Sequence, residues 1–167
     1  MEELSGKFRI LAEISEKLSG NKKPILVGGS AVEFYTRGTC KSIDIDLLGD
    51  RETLVKLLED MGFSKTGRHW FYTKDIGIEI VGSSAEGRRV NEVLHEGKLI
   101  RIISIEDLIV DRLNACKHWK SQYDCEQGHV LFGAYRDKLD MDYLKLRMKE
   151  EDLEIELLKM NTEKHIN

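Results

Sequence analysis

Fourteen glycines punctuate this chain of 167 residues, yet only Gly128 and Gly133 lie beyond Ser104, and the single proline is Pro24. Glycine and proline end helices and make tight turns, so their distribution dictates where short elements can alternate. It predicts a turn-rich N-terminal part, 1–103, and a helical C-terminal part, 104–167, packed on it as one structural unit. At this length the chain has room for one domain with an appendage, not for two independent catalytic domains.

Leu4, Phe8, Leu11, Ile14 and Leu18 recur at spacings of three and four, which predicts an amphipathic helix that Gly20 can end. Pro24 to Val27 is a short apolar run that stops at Gly28-Gly29 and is followed by a helix-compatible stretch from Ala31 to Arg37: strand, glycine turn, helix. Leu54, Leu57, Leu58 and Met61 predict a second helix ended by Gly62. His69–Thr73 and Ile76–Val81 read as a hairpin turning near Asp75, and Lys98–Ile103 as a further strand. Ser104 with Asp107 three residues on resembles a capping box. The expected class is α/β (α+β), a small mixed β-sheet flanked by helices.

Between these elements lies Ile43-Asp44-Ile45-Asp46-Leu47-Leu48. Strict alternation on a strand sends the isoleucines to one face and the aspartates to the other, with Asp44 and Asp46 about 6 to 7 Å apart at Cα. Carboxylates that close repel unless a cation sits between them, and Mg²⁺ or Mn²⁺ suits such oxygens while leaving positions for water and phosphate. A solvated strand face is the plain alternative. Glu79 stands on the opposite face of its strand from Ile78 and Ile80 and could join the pair if the two strands are neighbours in register. Gly28-Gly29-Ser30 lies between strand and helix, where unpaired N–H groups and the helix N-terminus favour an anion, with the Ser30 hydroxyl as a further donor. It fits neither the dinucleotide fingerprint nor the P-loop.

Taken together, Gly28-Gly29-Ser30-Ala31, then Arg37 and Ser42, then Asp44-Ile45-Asp46 and finally Glu79 resemble the DNA polymerase beta-like nucleotidyltransferase superfamily. The likeness is greatest to minimal bacterial and archaeal members of the abortive-infection, toxin-antitoxin type. It covers about residues 24–81. Further along, Asp111-Arg112-Leu113 with Lys120 and Asp124 is similar to the helical part of such proteins, where the position of Arg112 more usually holds a lysine; the third acid is often aspartate where this chain has Glu79. The resemblance implies Mg²⁺- or Mn²⁺-dependent transfer of a nucleoside monophosphate from a nucleoside triphosphate to a hydroxyl on an RNA end, a protein or a small molecule. Asp44, Asp46 and Glu79 would be the catalytic and metal-holding residues, and Gly28, Gly29, Ser30, Arg37, Ser42 and Arg112 the nucleotide-binding ones. The competing reading is a binding or regulatory protein that keeps this fold without turnover, such as one half of a toxin-antitoxin pair.

A formal net charge of −4 rules out a global positive field for nucleic acid or an anionic membrane, so any such contact must be local. No run approaches the length of a membrane span, and the start is not signal-like, so a cytoplasmic location is expected. Three cysteines, an odd number, then point to reduced thiols. Cys116, His118, Cys125 and His129 match no zinc spacing. Lys117, Trp119, Lys120 and Tyr123 form a basic-aromatic cluster that could stack bases, although helix aromatics more often serve the core. Arg88 and Arg89 follow the Glu79 strand in a polar loop and could reach an extended anionic substrate. Apolar residues between Met141 and Met160 suit either a partner or the core.

Overall fold

The computed structural model describes residues 2–159, with side chains from Gly6 onward, so the Leu4 side chain and Met160 fall outside the described part. The chain divides into two units, residues 1–104 and 105–167.

The first unit is a seven-stranded mixed sheet with three α-helices. Helix α1 (Glu2–Glu16) turns Phe8, Leu11 and Ile14 inward, all buried. Strand β1 (Ile25–Val27) is buried throughout, as expected of a central strand, and pairs antiparallel with β2 (Ile45–Leu48) and parallel with β7 (Lys98–Ile103). On the far side of β2, β5 (Gly77–Gly82) runs parallel to it, followed by β4 (His69–Phe71) and β3 (Ser64–Thr66), each antiparallel to its neighbour. Strand β6 (Val90–His95) closes the other edge as a hairpin with β7. Helix α3 (Arg51–Asp60) opens on an Asp50 cap: the Asp50 carboxylate accepts from Thr53 N–H at 2.9 Å and from Thr53 Oγ at 2.6 Å.

Several local expectations shift. Helix α2 (Gly28–Tyr35) starts at Gly28 itself, so the two glycines are its first turn and no separate loop precedes it. Strand β2 begins at Ile45; Asp44 lies just before it, and Ile43, expected to share a face with the buried Ile45, is 80% exposed. Strands β3 and β6 had no sequence signal: Ser64-Lys65-Thr66 is polar and wholly exposed, and β6 mixes Asn91 and Glu92 into its run.

In the second unit α4 (Ile105–Trp119) packs against α5 (Gln122–Tyr135) and α6 (Met141–Glu150). Ser121 and Asp140 cap α5 and α6. Gly128 lets α5 approach α4 closely, since a Cβ there would lie 3.1 Å from Leu113 Cδ2. The fully buried Asp107 accepts from Tyr143 Oη at 2.8 Å and from Arg147 Nε at 2.9 Å. The Asp107 carboxylate first, and that of Glu150 after it, raise the Arg147 pKa above its ordinary value.

The expectation of reduced thiols is overturned for two of the three cysteines. Cys116 near the end of α4 and Cys125 near the start of α5 form a disulfide with their Cα atoms 4.8 Å apart, while Cys40 is free. Residues nine apart in sequence reach that distance because the α4–α5 turn reverses the chain between them. Both thiols are thereby taken from any metal. No described helix is long and apolar enough to cross a membrane.

Candidate active site

Four strands place their residues in one lateral row: Val27 of β1 pairs with Asp46 of β2, Asp46 with Glu79 of β5, and Glu79 with His69 of β4. Directly paired residues on adjacent strands project from the same face, about 5 Å apart at Cα. Asp46, Glu79 and His69 are therefore side by side. The Asp44 carboxylate, two residues before Asp46, reaches the same group, with Oδ2 lying 3.3 Å from His69 Nε2. The same ring nitrogen is 3.6 Å from Glu79 Oε2, and Arg68 Nε is 3.3 Å from Glu79 Oε1. All three carboxylates are only half-exposed.

Helix α2 meets this row at its end, because Gly28 follows Val27 directly. Gly28 holds φ at +65°, and a Cβ there would stand 2.4 Å from Asp46 Oδ2. The start of the helix thus lies against the carboxylate, and its first-turn N–H groups have no partner within the helix. A Cβ on Gly29 would come within 3.0 Å of Ser42 Oγ, and one on Gly77 within 2.8 Å of Asp44 Oδ1. Glycine at these positions keeps open the space beside both aspartates.

Ser30 takes a different place from the one its sequence position suggested. Its side chain is fully buried; Oγ donates to Val27 O at 3.2 Å and accepts the Asp46 N–H at 3.3 Å. Rather than facing a phosphate, it ties the first turn of α2 to the backbone of Asp46. Ser42 is held from several sides: its N–H donates to Glu33 Oε2 at 3.1 Å, its Oγ to Asp44 O at 3.2 Å, and its carbonyl accepts from Lys7. Lys7 of α1 and Glu33 of α2 are both buried and paired with each other. This ion pair, which nothing in the sequence pattern announced, stitches the approach to Asp44 onto two helices. Arg37 has an exposed side chain just past the end of α2, with φ +50°. Arg112 belongs to the helical unit, where its Nη1 is 3.2 Å from Asp124 Oδ1 and its Nε has no partner among the described residues. In the loop before β6, Arg88 Nε donates to Ala85 O at 2.9 Å.

His69 is the residue that sequence reasoning missed. The hairpin is centred on Lys74, since Phe71 pairs with Gly77, and this sets His69 opposite Glu79. A turn centred on Asp75 would have set it opposite Val81. The donor set fits a hard divalent cation: three carboxylates, each half-exposed, with glycine backbone beside two of them. As they stand, His69 and Arg68 engage the acids, and among the described residues no three such side chains form an assembled ion site.

No model of a known protein family matches the chain, and no curated protein matches it. Solved structures do. An antigenic nucleotidyltransferase-like protein from Paracoccidioides brasiliensis superimposes with a TM-score of 0.64 at 11% identity, over 90% of this chain and 87% of that one. The antibiotic-resistance factor ANT(2'')-Ia in solution gives 0.55 at 16% identity, over 90% of each chain. The crystal structure of ANT(2'')-Ia in complex with adenylyl-2''-tobramycin gives 0.56 at 16% identity, over 90% of this chain and 97% of that one. At these identities the likeness is one of fold, and the fold of this chain is nucleotidyltransferase-like.

Proposed function

We propose that this chain is a metal-dependent nucleotidyltransferase, moving a nucleoside monophosphate from a nucleoside triphosphate to a hydroxyl acceptor with release of pyrophosphate. The observation that carries the reading is the row in which Asp46 and Glu79 stand in register, with Asp44 beside them and the start of α2 against Asp46. Asp44 and Asp46 would hold the ion that accompanies the triphosphate, and Glu79 with them a second one. A bound Mg²⁺ or Mn²⁺ supplies charge neutralisation on the phosphates and lowers the pKa of the acceptor hydroxyl.

The chain's own residues do the rest. Backbone N–H groups of Gly28 and Gly29 receive phosphate oxygens at the helix N-terminus, where partial positive charge and unpaired donors coincide. Ser30 positions Asp46, and the Lys7–Glu33 pair positions Ser42 and Asp44. Arg37 and Arg112 are proposed nucleotide contacts on the residue pattern alone. His69 and Arg68 hold Asp44 and Glu79, the carboxylates that would ligate the cation, in the resting arrangement. The attacking group is the acceptor's own hydroxyl, so no covalent enzyme nucleotide is needed. ANT(2'')-Ia, seen with adenylyl-2''-tobramycin, favours a small-molecule acceptor within this scheme over a macromolecular one.

That same engagement of the acids by His69 and Arg68 favours, as second reading, a nucleotide-binding regulatory protein without turnover, of the toxin-antitoxin kind. The two separate on incubation with each labelled nucleoside triphosphate, Mg²⁺ or Mn²⁺, and pools of RNA, protein and small hydroxyl compounds. Transfer of label with pyrophosphate release, abolished by Asp44→Asn and by Asp46→Asn, is the expected result. Nucleotide binding without transfer to any pool supports the regulatory reading. Absence of both binding and transfer overturns both.

A further inference from the structure

The loop that the Cys116–Cys125 disulfide closes carries Lys117, His118, Trp119, Lys120 and Tyr123. Helix aromatics usually serve a core, but Trp119 is 82% exposed and Tyr123 56% exposed. The other tryptophan, Trp70, is buried at 5%. Tyr72, exposed to a similar degree, lies against Phe63 with ring centroids 5.6 Å apart, whereas Trp119 has no ring or ion contact among the described residues. Lys117, His118 and Lys120 are exposed around it, and Lys117 Nζ donates to Asp152 O at 2.6 Å, which leaves its charge uncompensated by that carbonyl. The acid within the loop, Asp124, is engaged by Arg112. A loop with net positive charge and two exposed aromatic residues thus stands out on a chain whose formal net charge is −4.

We infer that this loop is a binding site for single-stranded nucleic acid, with bases stacking on Trp119 and Tyr123 and phosphates meeting Lys117 and Lys120. Stacking tolerates any base because every base has a π-face, and a strand alternates bases with the phosphates that lysines beside the rings can meet. A duplex buries its base faces, and an apolar protein surface would leave the lysines unmatched. Ring closure by the disulfide limits the conformations of the free loop, which lowers the ordering cost of binding. The inference is independent of the nucleotidyl-transfer reading, since every residue it uses lies outside the proposed catalytic row.

The oxidised, full-length protein is titrated with a fluorescently labelled uridine oligomer of about ten nucleotides, within the usual range of single-strand sites. Tryptophan emission and probe anisotropy are followed together. Binding should quench Trp119, and the logarithm of affinity should fall with the logarithm of salt with a slope of about −1.4, for two phosphates neutralised. Trp119→Ala should weaken binding about tenfold, the loss expected for one stacked base. The pair Lys117→Ala and Lys120→Ala should flatten the salt slope, and Asp46→Asn should leave the affinity unchanged. All these changes are on exposed positions or spare the fold, which circular dichroism checks. The proposal is overturned if the oligomer neither binds nor quenches, which leaves the loop to a protein partner. Equal binding by Trp119→Ala or by an RNA duplex overturns it too, as does competition by uridine monophosphate at the same concentration as the strand.

Discussion

A Cβ at residue 28 would stand 2.4 Å from Asp46 Oδ2 in a backbone held at φ +65°, so Gly28→Ala meets two separate penalties. Gly20 offers the control: it holds φ at +54° with nothing within 4 Å of the added carbon. Gly20→Ala should lose only the left-handed backbone penalty, about 1 kcal/mol, and leave nucleotide binding intact. Gly28→Ala should lose about 2 kcal/mol or more and also abolish nucleotide binding; calorimetric unfolding and nucleotide titration of the two variants read the difference. Asp50 makes a second test with a defined sign. Its pKa lies below the ordinary 3.8 because Thr53 donates to the carboxylate from both side chain and backbone. A depressed carboxylate contributes stability that is fully present above its unfolded pKa and lost as pH falls through the folded one. Amide exchange in the first turn of α3 should therefore quicken only below about pH 4, and Asp50→Ala should remove that acid step.

Helices α4, α5 and α6 depend on two tertiary devices that local helix propensity does not supply. The disulfide closes a short loop, and chain-entropy arguments assign it about 2.6 kcal/mol. Reduction, or Cys116→Ser, should lower the stability of the helical unit by that order and raise amide exchange in α5 before the sheet responds. Asp107 is the second device: its side chain is fully buried, and Arg147 and Tyr143 satisfy it. Arg147→Ala removes the charged partner of that buried carboxylate and should cost about 3 to 5 kcal/mol, the usual loss when one partner of a buried pair is removed. Asp107→Asn, which keeps a polar group without the charge, should cost less. Denaturant midpoints for the two variants check the order.

Seven strands converge on a sheet whose one row collects negative charge, and this has a thermodynamic signature for the whole protein. Without metal, Asp46→Asn relieves repulsion with its neighbours, so its unfolding midpoint should equal or exceed that of the wild type. With Mg²⁺ and nucleoside triphosphate, the wild type should gain stability by linkage, about 2.7 kcal/mol at a hundredfold excess over the dissociation constant, and the variant should gain little. Thermal scans with and without ligand measure both arms. Equal gains in the two proteins would show that Asp46 takes no part in holding the metal–nucleotide complex.

Periodicity and turn residues alone determined the mixed sheet flanked by helices, a strand followed by a helix about Gly28-Gly29, and the helical C-terminal part, because those signals are local. The carboxylates themselves, Asp44, Asp46 and Glu79, were also visible as residue types on chosen strand faces. Tertiary structure decided which of them are neighbours. A one-residue change in the hairpin centre replaces Glu79 by Val81 opposite His69, and no local energy in the sequence distinguishes the two. Strand β3 went unseen because all its side chains are exposed, so its place comes from backbone pairing with β4. Ser30 and the Lys7–Glu33 pair were legible as polar residues but not as buried ones, since burial is a property of what packs over them. The disulfide likewise needed the α4–α5 reversal to bring residues 116 and 125 together, and the exposure of Trp119 needed that turn to leave it uncovered. Sequence sets which groups are present and their local period; register and burial arise only when distant segments meet.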